Sequence, residues 1–304
     1  MKIEILEGDA LYYLKKIDNC SVDLIIADPP YNLGKDYGNN NDQKTFDEYI
    51  DFSRNWIKEV YRILKSTGTI YIFMGVRFIS YLYTILEKEY NYFFNSWITW
   101  HYTQGLGKTK GFSPRHDDIL MFTKTKDYKF DLDNIRVPQK YYRSVNNMRG
   151  ANPGDVWEFS HIHYCNANRQ EHPTQKPEGL IERMVSASSE EGDLVVDPFS
   201  GSGTTLRVCQ QLDRNCTGIE MNPQYIQLTK ERLAQPFTGF DSIDKRMERV
   251  PNDLSNTQIR NEYFKNHKKW FLKYHSNAIQ SFEKEINEKY GNNDKGLELF
   301  NDFN

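Results

Sequence analysis

No stretch of this sequence approaches the apolar length needed to cross a bilayer. The opening residues Met1-Lys2-Ile3-Glu4 lack the basic-then-apolar pattern of a secretion signal, so a cytoplasmic protein with no membrane partner is expected. Cysteine is sparse as well. Cys20, Cys165, Cys209 and Cys216 include no CxxC pair, which removes a zinc ribbon and leaves no disulfide framework. His161, His163, Cys165 and His172 alternate along one segment without a second ligand pair, so no metal is expected. Strong net charge is also missing: the formal value of -3 taken alone speaks against a nucleic-acid binder. That average hides a local excess. Between His101 and Arg149, ten basic residues stand against five acidic ones, the balance that phosphate contact needs and that a solvated loop also shows.

What remains is ordinary globular material. The 304 residues are 38% hydrophobic and 27% charged, enough for one large α/β domain with elaborations or for two domains. Val22-Asp23-Leu24-Ile25-Ile26-Ala27 has the composition of a strand covered on both faces in a parallel sheet. Asp28-Pro29-Pro30-Tyr31 follows directly, at the strand end where open α/β sheets bind ligands. Its two prolines remove two N–H donors and fix φ, so the turn is a stiff row of acceptors. Asp28 adds a carboxylate and Tyr31 a flat ring. A planar heterocycle bearing an NH2 group suits this set: Asp28 and the Pro29 carbonyl each take one amino hydrogen while Tyr31 covers the ring. A strand-ending turn with a surface tyrosine reads the same, so a second motif is needed.

In chain order, Lys2 to Leu6 alternates as a short strand and Ala10 to Ile17 carries a helical stripe, placing Asp9 at their junction. Asn32 to Lys44 is a polar loop, either over a site or merely on the surface. Helical spacing covers Phe46 to Leu64, Gly68 opens a strand Thr69 to Phe73, and a helix spans about Val76 to Lys88. Strands follow at Tyr92 to His101 and Ile119 to Phe122, and the alternation implies a parallel sheet. Lys124 to Arg169 breaks the rhythm; basic, Asn-rich and aromatic, it is expected to be an insertion carrying specificity rather than core.

After a helix over Pro177 to Ser188, the strand Asp193 to Val196 runs into Asp197-Pro198-Phe199-Ser200-Gly201-Ser202-Gly203-Thr204-Thr205, and a helix continues from Leu206 to Leu212. Glycines there let backbone approach a ligand, and the helix start favours negative groups. A P-loop needs lysine where Thr204 stands, and a dinucleotide fold needs Gly or Ala where Leu206 stands. An adenosyl cofactor with its amino-acid end over the loop is what remains. The next strand, Cys216 to Ile219, ends in Glu220, placed to accept from two ribose hydroxyls, and Asn222 to Leu233 is its helix. This half-sheet lacks one strand. Lys2 to Ile17 has the missing strand–acid–helix form, so the chain is read as circularly permuted, with Asp9 arriving beside the adenine.

With the Asp28 turn ahead of the Asp197 loop, the sequence resembles the β-class DNA amino-methyltransferases of bacterial restriction–modification systems over roughly Lys2 to Leu233. His172-Pro173-Thr174-Gln175-Lys176-Pro177 is similar to the family's segment before the glycine-rich strand, which also lines the cofactor. The resemblance implies a circularly permuted Rossmann-like α/β sheet, S-adenosylmethionine as cofactor, and methyl transfer to adenine N6 of a base rotated out of DNA. Cytosine-N4 enzymes are similar but more often carry Ser in place of Asp28, so adenine is expected and cytosine is the alternative. A non-catalytic DNA-binding protein of the same fold is a further one. The lack of a Pro-Cys turn speaks against carbon-5 chemistry.

By the resemblance, Asp28, Pro29, Pro30 and Tyr31 are catalytic, and the cofactor is held by Asp9, Ala10, Asp28, Lys176, Asp197, Phe199, Gly201, Ser202, Gly203, Thr204, Thr205, Glu220, Met221 and Asn222. Lys108, Lys110, Arg115, Lys140, Arg143 and Arg149 are the expected DNA contacts. Residues 1–123 are the expected catalytic half, 124–170 a target-recognition insertion, 171–235 the cofactor half, and 236–304 a C-terminal helical extension, outside the resemblance, with Glu262 to Tyr290 helical. Double-stranded DNA is the expected partner, a cognate restriction endonuclease a functional one, and homodimers are common in the family.

Overall fold

The computed structural model describes residues 1–32, 34, 43–102, 107–137, 150–160, 162, 175–241, 258 and 262. The expectations for Lys140, Arg143 and Arg149, for the His161/His163/Cys165/His172 group, for most of the Asn32 to Lys44 loop and for nearly all of the Glu262 to Tyr290 helix lie outside these residues. The chain divides into two compact units, Met1–Asp131 with Gly154–Asp244, and Leu132–Pro153 with Lys245–Asn304. In the second unit the described backbone forms a bridge between Val137 and Ala151. Arg136 there donates to Asp133 Oδ1 at 2.6 Å and to the Gly150 carbonyl at 3.0 Å.

The first unit is built on one sheet of eight strands: β1 (Ile3–Glu7), β2 (Val22–Ala27), β3 (Leu64–Met74), β4 (Phe93–His101), β5 (His116–Thr123), β6 (Val156–Glu158), β7 (Leu194–Asp197) and β8 (Asn215–Glu220). They lie in the order β1-β8-β7-β2-β3-β5-β4-β6. The sheet is mixed rather than parallel, because β5 runs against both β3 and β4. No helix is described between β4 and β5, and a parallel return would require a crossover there.

Among the described residues six helices flank the sheet: α1 (Ala10–Leu14), α2 (Phe46–Ile63), α3 (Ile79–Thr84, continuing as a π-helix over Ile85–Glu89), α4 (Glu178–Ser188), α5 (Thr204–Gln211) and α6 (Pro223–Ala234). Alternation along the strands sorts the core into two faces. Ile25, Ala27, Ile70 and Ile72 pack with α2 and α3 residues such as Trp56, Ile57, Val60 and Leu82. Leu24, Ile26, Tyr71 and Phe73 pack with Leu180, Met184 and Val185 of α4 and Leu206 and Val208 of α5. Each such fully buried aliphatic contributes roughly 1.5–3 kcal/mol, which is what holds α2 and α4 against the sheet. A capping box starts α2: Glu48 N donates to Thr45 Oγ1 and Thr45 N to Glu48 Oε2.

The permuted strand is in place. β1 lies parallel to β8 with Glu7 opposite Glu220, so the N-terminal strand completes the half-sheet of β7 and β8. Several boundaries differ from expectation, and two of the differences have a structural reason. β3 begins at Leu64, not Gly68, because Leu64 pairs with Val22 before a register shift. Gly68 serves that irregularity: a Cβ there would stand 2.6 Å from Leu64 Cδ1. The segment expected to be insertion rather than core also supplies an edge strand, since β6 pairs parallel with β4 and Trp157 and Phe159 are buried in the sheet's packing. Its aromatic content, read as recognition chemistry, is partly core chemistry.

Candidate active site

β2 and β7 are adjacent and parallel at the point where the strand order reverses. Connections leave to opposite sides there, opening a crevice at the carboxyl ends. The Asp28 turn follows β2 and the glycine-rich turn follows β7, and the two line one cleft. Of the expected residues, Asp28, Lys176, Asp197, Phe199, Gly201, Ser202, Thr204 and Thr205 line it, with Ile26, Phe73, Gln175, Ile181 and Ser200 besides. Ile26 and Phe73 were findable by alternation, since both lie on the sheet face that α4 covers. Ile181 had no signal beyond its helical period.

α2 braces both turns from one side. Tyr49 donates its hydroxyl to the Pro30 carbonyl at 2.8 Å. Trp56 meets the Phe199 ring edge-on with centroids 5.6 Å apart. The Pro29 carbonyl has no donor among the described residues. Tyr31 is half-buried with its ring over Gly75, where a Cβ would stand 3.5 Å from Cδ2. Asn32, at a positive φ of 57°, exchanges two hydrogen bonds with the Lys44 backbone and so joins the positions that bracket residues 33–43.

Asp28 Oδ2 accepts a hydrogen bond from Lys176 Nζ. Asp28 Oδ1 is buried with no partner among the described residues. An ionised carboxylate oxygen rarely stays so, since an unmade buried hydrogen bond costs about 1–3 kcal/mol or more. This oxygen is an unsatisfied acceptor on a residue that lines the cleft.

The glycine-rich turn is held from within and behind. Thr205 Oγ1 donates to Asp197 Oδ2 at 2.6 Å and Phe199 N to Asp197 Oδ1 at 3.0 Å. Burial pushes the Asp197 carboxyl up to about 7, with Asp28 and Glu220 charge adding to the rise and these two hydrogen bonds opposing it. Gly203 adopts φ 74° at the start of α5, which begins at Thr204 rather than Leu206. A Cβ on Gly203 would stand 2.3 Å from Thr229 Cγ2. Thr229 also donates to the Gly201 carbonyl at 3.3 Å, and Arg232, one turn further along α6, donates to the Ser202 carbonyl at 3.1 Å and Thr204 Oγ1 at 2.9 Å. Arg232 is buried and paired with Glu178 at 2.7 Å. None of Tyr49, Glu178, Thr229 or Arg232 carried a sequence signal as part of the site.

Glu220 Oε2 accepts from Gly201 N at 2.9 Å and Oε1 from Asn222 N at 2.8 Å, so this acid ties β8 to the turn. Burial raises its pKa, against those backbone donors and Met221 N. Asp9 caps α1 by accepting from Tyr12 N at 2.9 Å and is exposed, beside buried Ala10. Asp9, Ala10, Glu220, Met221 and Asn222 stand at the carboxyl ends of β1 and β8, beyond the lining of the cleft. Lys108 and Lys110 are exposed on the connection between β4 and β5, and Arg115 is half-buried with Nη1 donating to the Pro114 carbonyl at 2.9 Å. β4 runs parallel to β3 and β2, so this connection leaves the sheet at the same edge as the cleft. Among the described residues no cluster of three metal-ligating side chains occurs, and no helix is long and apolar enough to cross a membrane.

A family profile described as DNA methylase matches residues 22–231, which takes in both turns and everything between them. The chain belongs to this DNA methylase family. It is 61% identical over 291 residues to the type II methyltransferase M.HpaI of Haemophilus parainfluenzae, covering 95% of this chain and 93% of that protein. It is 38% identical over 243 residues to the DNA adenine methyltransferase YhdJ of Escherichia coli strain K12, covering 75% and 82%. Among solved structures, the PvuII DNA methyltransferase (cytosine-N4-specific) shares the fold with a TM-score of 0.64 at 22% identity, over 79% of this chain and 89% of that one. The M1.HpyAVI–SAM complex matches with a TM-score of 0.55 at 25% identity, over 77% and 100%. The fold of this DNA methylase is thus that of S-adenosylmethionine-dependent DNA methyltransferases. The family match stops at residue 231, while the M.HpaI match runs on past Pro236 into the C-terminal segment.

Proposed function

We propose that this DNA methylase transfers the methyl group of S-adenosylmethionine to adenine N6 of a base turned out of duplex DNA, as the modification enzyme of a restriction–modification system. The observation that carries the reading is the buried, unpartnered Oδ1 of Asp28, a residue that lines the same cleft as the glycine-rich turn. An exocyclic amine lies inside the base pair in a duplex, so the base must leave the stack to reach it, at a cost of a few kcal/mol.

S-adenosylmethionine, when bound, supplies an electrophilic methyl group. The residues present fit such a cofactor: the turn lines the cleft at Gly201, where no side chain stands, and Asp197, Thr204 and Thr205 add acceptors and hydroxyls to the lining. Glu220 and Asp9 at the neighbouring strand ends are the residues we assign to its nucleoside part. Aromatic amines are weak nucleophiles because the nitrogen lone pair is shared with the ring. Asp28 Oδ1 and the Pro29 carbonyl, each accepting one amino hydrogen, hold that nitrogen towards tetrahedral geometry and stabilise the positive charge it gains. Tyr31 covers the base. Positioning and these two hydrogen bonds account for the rate, with no covalent intermediate on the protein.

The restriction–modification role draws on the M.HpaI likeness, and the choice of adenine on Asp28 and on the YhdJ likeness. Cytosine N4 presents the same NH2 to Asp28, and the PvuII enzyme shares the fold. We further assign residues 124–170 to target recognition and Lys108, Lys110, Arg115, Lys140, Arg143 and Arg149 to DNA, on their charge. The test is incubation of unmethylated plasmid with tritiated S-adenosylmethionine, then nuclease digestion and nucleoside chromatography. Label in N6-methyladenine is the expected result. Label in N4-methylcytosine changes the base, and label absent from DNA refutes the proposal.

A further inference from the structure

Lys176 belongs to the segment that the family resemblance assigns to the cofactor, yet its ammonium group is bonded to Asp28 Oδ2. The side chain is only 9% exposed. It runs between two aromatic rings, with Nζ 5.1 Å from the centroid of Phe73 and 5.5 Å from that of Tyr31. Its base is fixed as firmly. The Lys176 carbonyl accepts from Thr204 Oγ1 at 3.2 Å, and that hydroxyl is itself held by Arg232. Lys176 is therefore tied at one end to the glycine-rich turn and at the other to the catalytic turn.

A carboxylate with neither oxygen engaged swivels about its Cβ–Cγ bond, and its two oxygens are interchangeable to an incoming donor. A charged hydrogen bond to one oxygen removes that freedom. With Oδ2 held, the orphaned Oδ1 is the oxygen left for a ligand. We infer that Lys176 is a positioning residue for Asp28: it orients the carboxylate so that Oδ1 receives an amino hydrogen of the target base. The inference rests on the role proposed for Asp28 above. It also leaves only one Asp28 oxygen for the amine, so the second amino hydrogen falls to the Pro29 carbonyl.

A cofactor ligand and a carboxylate-positioning lysine fail differently. Lys176→Met keeps the packing between Phe73 and Tyr31 and removes the donor. Its kcat is expected to fall roughly 100-fold while the calorimetric Kd for S-adenosylmethionine stays within about threefold of wild type. Lys176→Arg, which restores a charged donor, is expected to recover part of that kcat. An unchanged kcat in Lys176→Met, or a Kd raised about tenfold in a variant that melts like the wild type, overturns the role. If the variant does not fold, a crystal structure of the wild-type protein with S-adenosylhomocysteine decides: Nζ on Asp28 supports the role, and Nζ on the cofactor overturns it. The two readings separate in the wild type. Protein that methylates nothing removes the reaction itself and this role with it, whereas an active wild type beside an equally active Lys176→Met removes only the role of Lys176.

Discussion

Asp197 makes the protein's stability depend on pH in a direction opposite to that of a surface carboxylate. Its carboxyl is pushed by burial from an ordinary value of 3.8 to about 7. Between pH 5 and 7 the folded protein holds a proton there that the unfolded chain has already released. Stability therefore falls as pH rises through that window, by about 1.4 kcal/mol per unit and roughly 3 kcal/mol across it, and the loss is complete above the folded pKa. Asp197→Asn does not ionise, and its amide can accept from Phe199 N and donate to Thr205 Oγ1, the partners the carboxyl has now. Urea unfolding at pH 5, 6, 7 and 8 is expected to show the variant gaining on the wild type by that amount up to pH 7, then levelling. The difference between the two proteins cancels titration elsewhere. A stability difference that does not vary with pH refutes the reasoning. The same group links pH to the cofactor: a sulfonium and an ammonium brought near the cleft favour the ionised carboxylate, so binding near pH 7 is expected to release a proton. That release appears as a calorimetric enthalpy that varies with the ionisation heat of the buffer, and Asp197→Asn should abolish it.

Gly203→Ala forces a Cβ into Thr229 at a left-handed φ of 74°; a loss of about 3 kcal/mol by urea unfolding is expected, and adding Thr229→Ala should return part of the steric cost, since Thr229 Cβ still stands 2.9 Å away, and none of the backbone cost. Asp28→Asn exchanges one carboxylate oxygen for a donor beside the Lys176 ammonium; kcat is expected to fall about 100- to 1000-fold with cofactor binding retained, and a wild-type rate would sink the catalytic assignment. Neutralising Lys108 and Lys110 together is expected to weaken all DNA sequences alike and to reduce the slope of log K against log salt by about 2, measured by fluorescence anisotropy; an unchanged slope would remove both from the interface.

What could be read from the sequence was whatever is written locally. An unbroken aliphatic run announces β2, since only a strand covered on both faces has no polar side to show. Gly201 and Gly203 announce a turn because their φ values of 48° and 74° suit glycine. The lack of a further strand pattern in the cofactor half of the sequence, set against a spare strand–acid–helix unit at the N-terminus, was enough to place β1 beside β8. β5 was misread because direction is not a property of a strand's own residues. It follows from what connects it to its neighbours, and Ile119 to Phe122 would look alike in either sense.

The supports of the site were illegible for a different reason. Tyr49, Thr229 and Arg232 act on the backbone of another element, 19 to 30 residues away in the chain, and nothing in their own helices marks that. Arg232, in the last turn of α6, reads as a cation complementing the helix dipole; only its burial and its bonds to Ser202, Thr204 and Glu178 show that it holds the glycine-rich turn. Lys176 shows the intermediate case. Its motif was legible and placed it at the cleft, while its partner was not, because Asp28 lies 148 residues away and meets it only in the folded chain, where α4 packs on the sheet beside β2. Motifs thus locate a side chain more reliably than they assign what it touches, and the assignment here moves Lys176 from the cofactor to the carboxylate that would receive the amine.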